Sequence, residues 1–237
     1  MMINIKRVLL FVVVIVCFFT NQNIFAQKTN AFDANGNRDG LWEKYYENGQ
    51  PRYIGNFKHG KEIGVFKFFS ITNENHPTSI KIFSETSNIA KVQYFTSDGK
   101  LQSKGQMIGK KRIGCWEYYF SNGKLLSEEN YVDGKLNGKL INYYQNGKKT
   151  EEIPYKNGLK NGVSKKYSDQ GVLIELITYK KNKANGLAKF FDLKGNLKET
   201  GNYKNGKRVG KWKYYIEGKV VSKKKKEIFS IPKHKYN

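Results

Sequence analysis

The chain has 237 residues, with 43 lysines and arginines against 20 aspartates and glutamates, for a formal charge of +23. It carries 23 glycines and 14% aromatic residues but only three histidines and two cysteines. Two cysteines are too few for a disulfide framework, and a positive field of this size favours anionic partners and opposes self-association.

Residues 1–26 read as a secretory signal. Lys6 and Arg7 form a positive start, Val8 to Phe19 is an unbroken apolar run, and Ala26 places a small residue before Gln27. The run is too short to span a bilayer comfortably, so cleavage and export to the periplasm, envelope or medium are expected. Val16 sits where a lipoprotein signal needs a small residue ahead of Cys17. Loss of Lys6 and Arg7 leaves +21, and Cys115 is then the one remaining cysteine. Its position is held elsewhere by Leu41, Val65, Val163 and Leu187, which predicts a small packed hydrophobe.

Residues 27–39 precede the main pattern. Asp33-Ala34-Asn35-Gly36 resembles the closing half of a repeat and is expected to cap the N-terminal end. From residue 40 to 221 the chain repeats G-x-W-x-x-Y-Y-x-x-G with a period of 24, first as Gly40 to Gly49. Glycine recurs at Gly64, Gly114, Gly138, Gly162, Gly186 and Gly210, and one copy starts at Ala90 after a predecessor two residues longer. The sixth residue of every copy is aromatic: Tyr45, Phe69, Phe95, Tyr119, Tyr143, Tyr167, Phe191 and Tyr215. Together with Trp42, Tyr46, Trp116 and Trp212, these are the candidate ladder or binding aromatics. Fixed short periodicity means units that bury their faces only by stacking on neighbours.

Within a copy, a strand-like run leads to Asn-Gly or a near equivalent, as at Asn48-Gly49, Asn122-Gly123 and Asn146-Gly147. This dipeptide between strand-like runs predicts a hairpin with a type I′ turn. A second run ends near an aromatic, such as Phe57, Tyr131 or Tyr203, and a second turn follows, such as His59-Gly60 or Asp133-Gly134. The predicted fold is therefore all-β: an elongated, twisted antiparallel meander of about eight 24-residue hairpins, or about sixteen strands, with almost no helix. Trp42 and Tyr45 are three apart, so either both faces carry aromatics or a bulge separates them. Between Ser70 and Ile89 the spacing stretches and the Asn-Gly turn is lost, and Thr72 to Thr78 reads as an enlarged loop. Residues 222–237 form a basic tail containing Lys223, Lys224, Lys225 and Lys226.

No catalytic, cofactor or metal constellation emerges. His59 sits at a turn, His76 precedes Pro77 and His234 lies in the tail, none beside an acid or cysteine at ligand spacing. Glu128-Glu129 and Glu151-Glu152 are adjacent on strands and point to opposite faces. The turn glycines lack the strand-to-helix context of a phosphate loop. Basic residues among aromatics suit a single-stranded nucleic-acid platform, but an exported protein is not expected to meet nucleic acid.

The repeated Gly-x-aromatic pattern with paired aromatics and Asn-Gly turns resembles the MORN repeat, in its bacterial variant form, over about Asp33 to Val221. The resemblance implies a noncatalytic scaffold, a membrane-associating or dimerising module, or, from the name many bacterial members carry, an antitoxin. The expected function is an exported interaction module. It would offer an aromatic and basic sheet face to a protein partner or to an anionic lipid or glycan surface, with a toxin-neutralising or immunity-like role as the alternative.

Overall fold

The computed structural model describes residues 29–72 and 75–222; the expected signal segment, residues 1–26, and Lys223 to Lys226 lie outside them. The described strands run in chain order. A short β1 (Ala31–Phe32) precedes the array. The first three repeats supply β2 (Arg38–Tyr45), β3 (Pro51–Lys58), β4 (Lys61–Phe68), β5 (Ser79–Phe83), β6 (Ile89–Phe95) and β7 (Leu101–Ile108). The middle repeats supply β8 (Lys111–Tyr119), β9 (Leu125–Val132), β10 (Lys135–Tyr143) and β11 (Lys149–Lys156). The rest are β12 (Leu159–Lys160), β13 (Gly162–Tyr167), β14 (Leu173–Lys180), β15 (Lys183–Phe191), β16 (Leu197–Lys204), β17 (Lys207–Ile216) and β18 (Lys219–Val221).

Each strand pairs antiparallel with the next, except that β12 and β13 both pair with β11 and not with each other. The result is one open sheet of consecutive hairpins, with no helix among the described residues. It has eighteen strands rather than sixteen. One addition is β1, which pairs with β2 and closes the N-terminal end. The other is a break at Asn161, which divides one strand into β12 and β13 opposite Pro154, a residue without an N–H to give the ladder.

The two turns of a repeat differ, which corrects the expectation of type I′ at Asn-Gly. At Asn48-Gly49 only the glycine has positive φ, at 82°. The Gly49 N–H donates to the Tyr46 carbonyl and the Tyr46 N–H to that of Gln50. This is the three-residue hairpin loop, a type I turn closed by a left-handed glycine. Asn48 keeps ordinary φ because its side-chain oxygen accepts from the Gln50 N–H at 3.2 Å, an interaction repeated at Asn122 and Asn146. The type I′ geometry appears instead at the second turn, where Asp133 and Gly134 have φ of 51° and 78°.

Two register shifts recur per repeat. One precedes the sixth-position aromatic: Lys44 faces Tyr53 while Tyr45 faces Pro51, so Arg52 is the extra residue. The other lies at the glycine that opens the motif. Gly114, Cys115 and Trp116 together oppose the single residue Gly105. Gly114 makes this bulge with a φ of 64°, a backbone region that side chains disfavour. Where β5 and β6 pair without a shift, the same position is Ala90, which therefore needs no glycine.

The bulge carries the packing. An imagined Cβ on Gly105 would lie 2.3 Å from the Trp116 ring, and Gly55 and Gly201 stand in the same relation to Phe66 and Trp212. The rings lie flat on glycines of the preceding strand. Where the third motif residue is small, the neighbouring strand supplies bulk instead: Ser164 and Ala188 both pair with Ile177. The register thus strings one row across the sheet, through Trp42, Gly55, Phe66, Lys81, Val92, Gly105, Trp116, Glu129, Leu140 and Ile153, then Ser164, Ile177, Ala188, Gly201 and Trp212. Trp116 and Ala188 are 0% exposed and Phe66 and Val92 1%, so this row is the core of a sheet that has no second layer.

Candidate functional site

Strand alternation gives the sheet two chemically different faces. The packed face holds the row above and the rings flanking it. Phe32 meets Trp42 edge-on at 5.1 Å, Tyr94 stacks on Trp116 at 6.1 Å, and Tyr203 meets Trp212 at 5.3 Å. Each tryptophan is covered by an arginine four residues earlier: Arg38 over Trp42 at 4.8 Å, Arg112 over Trp116 at 4.5 Å, and Arg208 over Trp212 at 4.0 Å. Arg112 also donates to the Tyr118 hydroxyl at 2.6 Å, and Arg208 is paired with buried Glu199. The guanidinium planes cover rings that would otherwise meet water. The motif R-x-G-x-W, present three times, was the available signal for these arginines, which the repeat pattern alone did not single out.

The sixth-position aromatics do not form the packed ladder. Tyr45, Phe95, Tyr119, Tyr143, Tyr167, Phe191 and Tyr215 alternate to the opposite face from the third-position core, and no ring contact among the described residues joins two of them. Both faces therefore carry aromatics. The motif needs Trp and Tyr three apart because one packs and the other does not. Phe69 follows the end of β4, and its carbonyl accepts from the Tyr46 hydroxyl at 3.0 Å. Tyr144 and Tyr167 repeat that bond four repeats later, also at 3.0 Å.

The opposite face has its own row, set by the same registers. Its central part is neutralised. Glu117 pairs with Lys104 at 3.0 Å and accepts from the Tyr119 hydroxyl, while Glu128 accepts from Tyr143. Glu152 is held by Lys139 at 2.9 Å and Lys149 at 3.2 Å. The tyrosine hydroxyl and the lysine lower the Glu117 pKa, so this carboxylate is not poised as a general acid. Glu128 and Glu129 diverge, Glu129 accepting from Tyr131 on the packed face.

Beyond Glu152 the row changes character. It runs Lys165, Leu176, Lys189, Thr200 and Lys213 across five adjacent strands. None of these three lysines has an ion-pair partner among the described residues. Alternate strands place them about 9.5 Å apart. Val163 and Leu187 beside them are 43% and 42% exposed, and Tyr167, Phe191 and Tyr215 close the other flank.

Cys115 also lies on this face and is exposed, which corrects the expectation of a packed hydrophobe. The second motif position faces outward because the bulge turns its neighbour Trp116 inward; Val65 there is 46% exposed. Lys223, Lys224, Lys225 and Lys226, expected to contribute to binding, lie outside the described residues.

No curated protein matches the chain. The family model described as MORN repeat variant matches five segments, residues 38–59, 112–133, 136–157, 160–181 and 184–205. Each segment runs from just before the glycine that opens the motif through the first hairpin turn to the first central residue of the second turn, so the chain carries MORN repeat variant units at these five places.

Proposed function

We propose that the protein is a noncatalytic interaction module that works outside the cytoplasm and holds an anionic surface, such as an acidic-lipid membrane or acidic polysaccharide, against its unpacked sheet face. One observation carries the reading: the row Lys165, Lys189 and Lys213, without an ion pair among the described residues and flanked by exposed Val163 and Leu187. A lysine near an anionic membrane contributes about 1 kcal/mol, so three in register, aided by exposed apolar groups and the basic tail, are enough for reversible attachment. No feature of the described residues favours the toxin-neutralising role over this one.

Co-sedimentation of the chain from Gln27 onward with anionic vesicles, neutral vesicles and acidic polysaccharide, in rising NaCl, tests it. Binding to the anionic supports at low salt and release at high salt are expected, since exposed charges are screened over about 8–10 Å at physiological ionic strength. Replacing Lys165, Lys189 and Lys213 by Gln abolishes most of the binding, and replacing Lys223 to Lys226 weakens it. Failure to bind any anionic support at the lowest salt refutes the reading and moves a protein partner to first place. N-terminal sequencing of the envelope or secreted fraction tests export; a cytosolic pool beginning at Met1 refutes it.

A further inference from the structure

The packed face contains a second basic feature, at the other end of the array. A hollow of about 470 Å³ opens over β2, β3 and β4. The half-buried rings of Tyr46, Tyr53, Phe68 and Phe69 form its floor, and the exposed Arg38, Lys44 and Arg52 its rim. Tyr53 is central, facing Lys44 on one side and Phe68 on the other. Arg38 reaches its hydroxyl at 3.3 Å, leaving other guanidinium donors free, and Arg52 stands over the Tyr46 ring at 5.8 Å. No carboxylate lines the hollow, and neither Lys44 nor Arg52 has an ion-pair partner among the described residues.

We infer that this hollow is a binding site for an acidic sugar, a pyranose unit bearing a carboxylate or sulfate. Its volume is within the range of small-ligand sites. Three cations around a floor of rings, with no anion among them, call for a ligand that brings negative charge at its edge and an apolar face beneath. Guanidinium forks match planar and tetrahedral oxyanions in paired hydrogen bonds. The floor also discriminates among ring shapes. Tyr53 and Phe68 are inclined at 44°, with centroids 6.2 Å apart. A flat nucleobase can lie on only one of them, whereas a puckered pyranose offers C–H groups to both. The bulge that makes Arg52 the extra residue of β3 places it at this rim.

The test is calorimetric titration with a sulfated uronate disaccharide, maltose and adenosine monophosphate, with ring-proton NMR shifts read in parallel. One equivalent of the acidic disaccharide should bind and shift Tyr46, Tyr53 and Phe68. Maltose should bind at least about tenfold more weakly, as should the acidic disaccharide to Lys44→Gln or Arg52→Gln, the loss of one charge-assisted contact. Thermal melts of both variants should match wild type, since their side chains stand on the rim. Should a variant fail to fold, the shift map on the wild-type chain decides alone. Shifts confined to Tyr167, Phe191 or Tyr215 overturn the inference, as does tighter binding of the nucleotide or undiminished binding by both variants. Because the lysine row lies on the other face, vesicle binding by Lys44→Gln and Arg52→Gln separates failure here from failure of the proposed function.

Discussion

Exchanging the sizes of one ring and its glycine tests the packing row directly. Trp116 is fully buried, and its ring rests 2.3 Å from where a Cβ of Gly105 would stand. Trp116→Ala removes that ring, its stacking on Tyr94, its bond to the Gln106 carbonyl at 3.0 Å and the seat of Arg112. The expected cost is about 3–5 kcal/mol. Gly105→Ile alone forces the ring off its seat and should cost at least about 1–3 kcal/mol, the range for overpacking. Together, the two changes recreate the pair that β14 and β15 already use, Ile177 against Ala188. The double variant should therefore be more stable than the sum of the single losses predicts, with a favourable coupling of about 2–3 kcal/mol. Urea unfolding of the four proteins, with amide exchange followed in β7 and β8, measures the cycle; the second probe is needed because long arrays can unfold in parts. Tyr119→Ala, on the other face, should cost clearly less than Trp116→Ala. Additivity within about 0.5 kcal/mol refutes size complementarity as the basis of the core.

Three further outcomes are expected. The indole N–H of Trp212 is buried with no partner among the described residues, unlike that of Trp116; Trp212→Phe should be neutral or stabilising in thermal melts, and Trp116→Phe destabilising by about 1–2 kcal/mol. The bond from His59, at 2.9 Å, and then the Asn37 N–H hold the Asp33 carboxyl at about 2, below its ordinary value. This stabilisation is full above the ordinary carboxylate range and is lost as pH falls toward 2; Trp42 fluorescence should report loosening of β1 over that window, and Asp33→Asn should abolish the pH dependence. Partial desolvation against the sheet, followed by Glu128 and Glu117, raises the thiol of the otherwise exposed Cys115, so iodoacetamide should label it more slowly than free cysteine at neutral pH, and faster in Glu117→Gln.

The meander was readable because each repeat states its own turns, and eight copies set the register repeatedly. The faces were less readable. Spacing alone left two options for Trp42 and Tyr45, since alternation and a bulge both fit a three-residue gap. The register resolves them by placing the extra residue, Arg52, on the partner strand. Counting aromatics drew attention to the sixth position because it never varies in kind. The third position, which forms the core, runs from Trp116 to Ser164 and Ala188 and looks unconserved until each is read with the residue beside it on the next strand. A pattern of sums across strands is invisible in a pattern of types along the chain. The lysine row is hidden for the same reason: Lys165, Lys189 and Lys213 are ordinary within their repeats and become a feature only when Leu176 and Thr200 separate them across the sheet.

Near-identical hairpins carry a hazard during folding, because a strand can be captured by the wrong copy of its neighbour. The alternation of bulk along the core acts as a proofreading device against that error. If β8 docked on β14 in place of β7, the Trp116 ring would fall on Ile177 rather than Gly105; if β15 docked on β7, Ala188 would leave a void over that glycine. Each strand thus carries a width that rejects neighbours of the other size class, and the chain narrows the choice of its own order while every unit keeps the same outline.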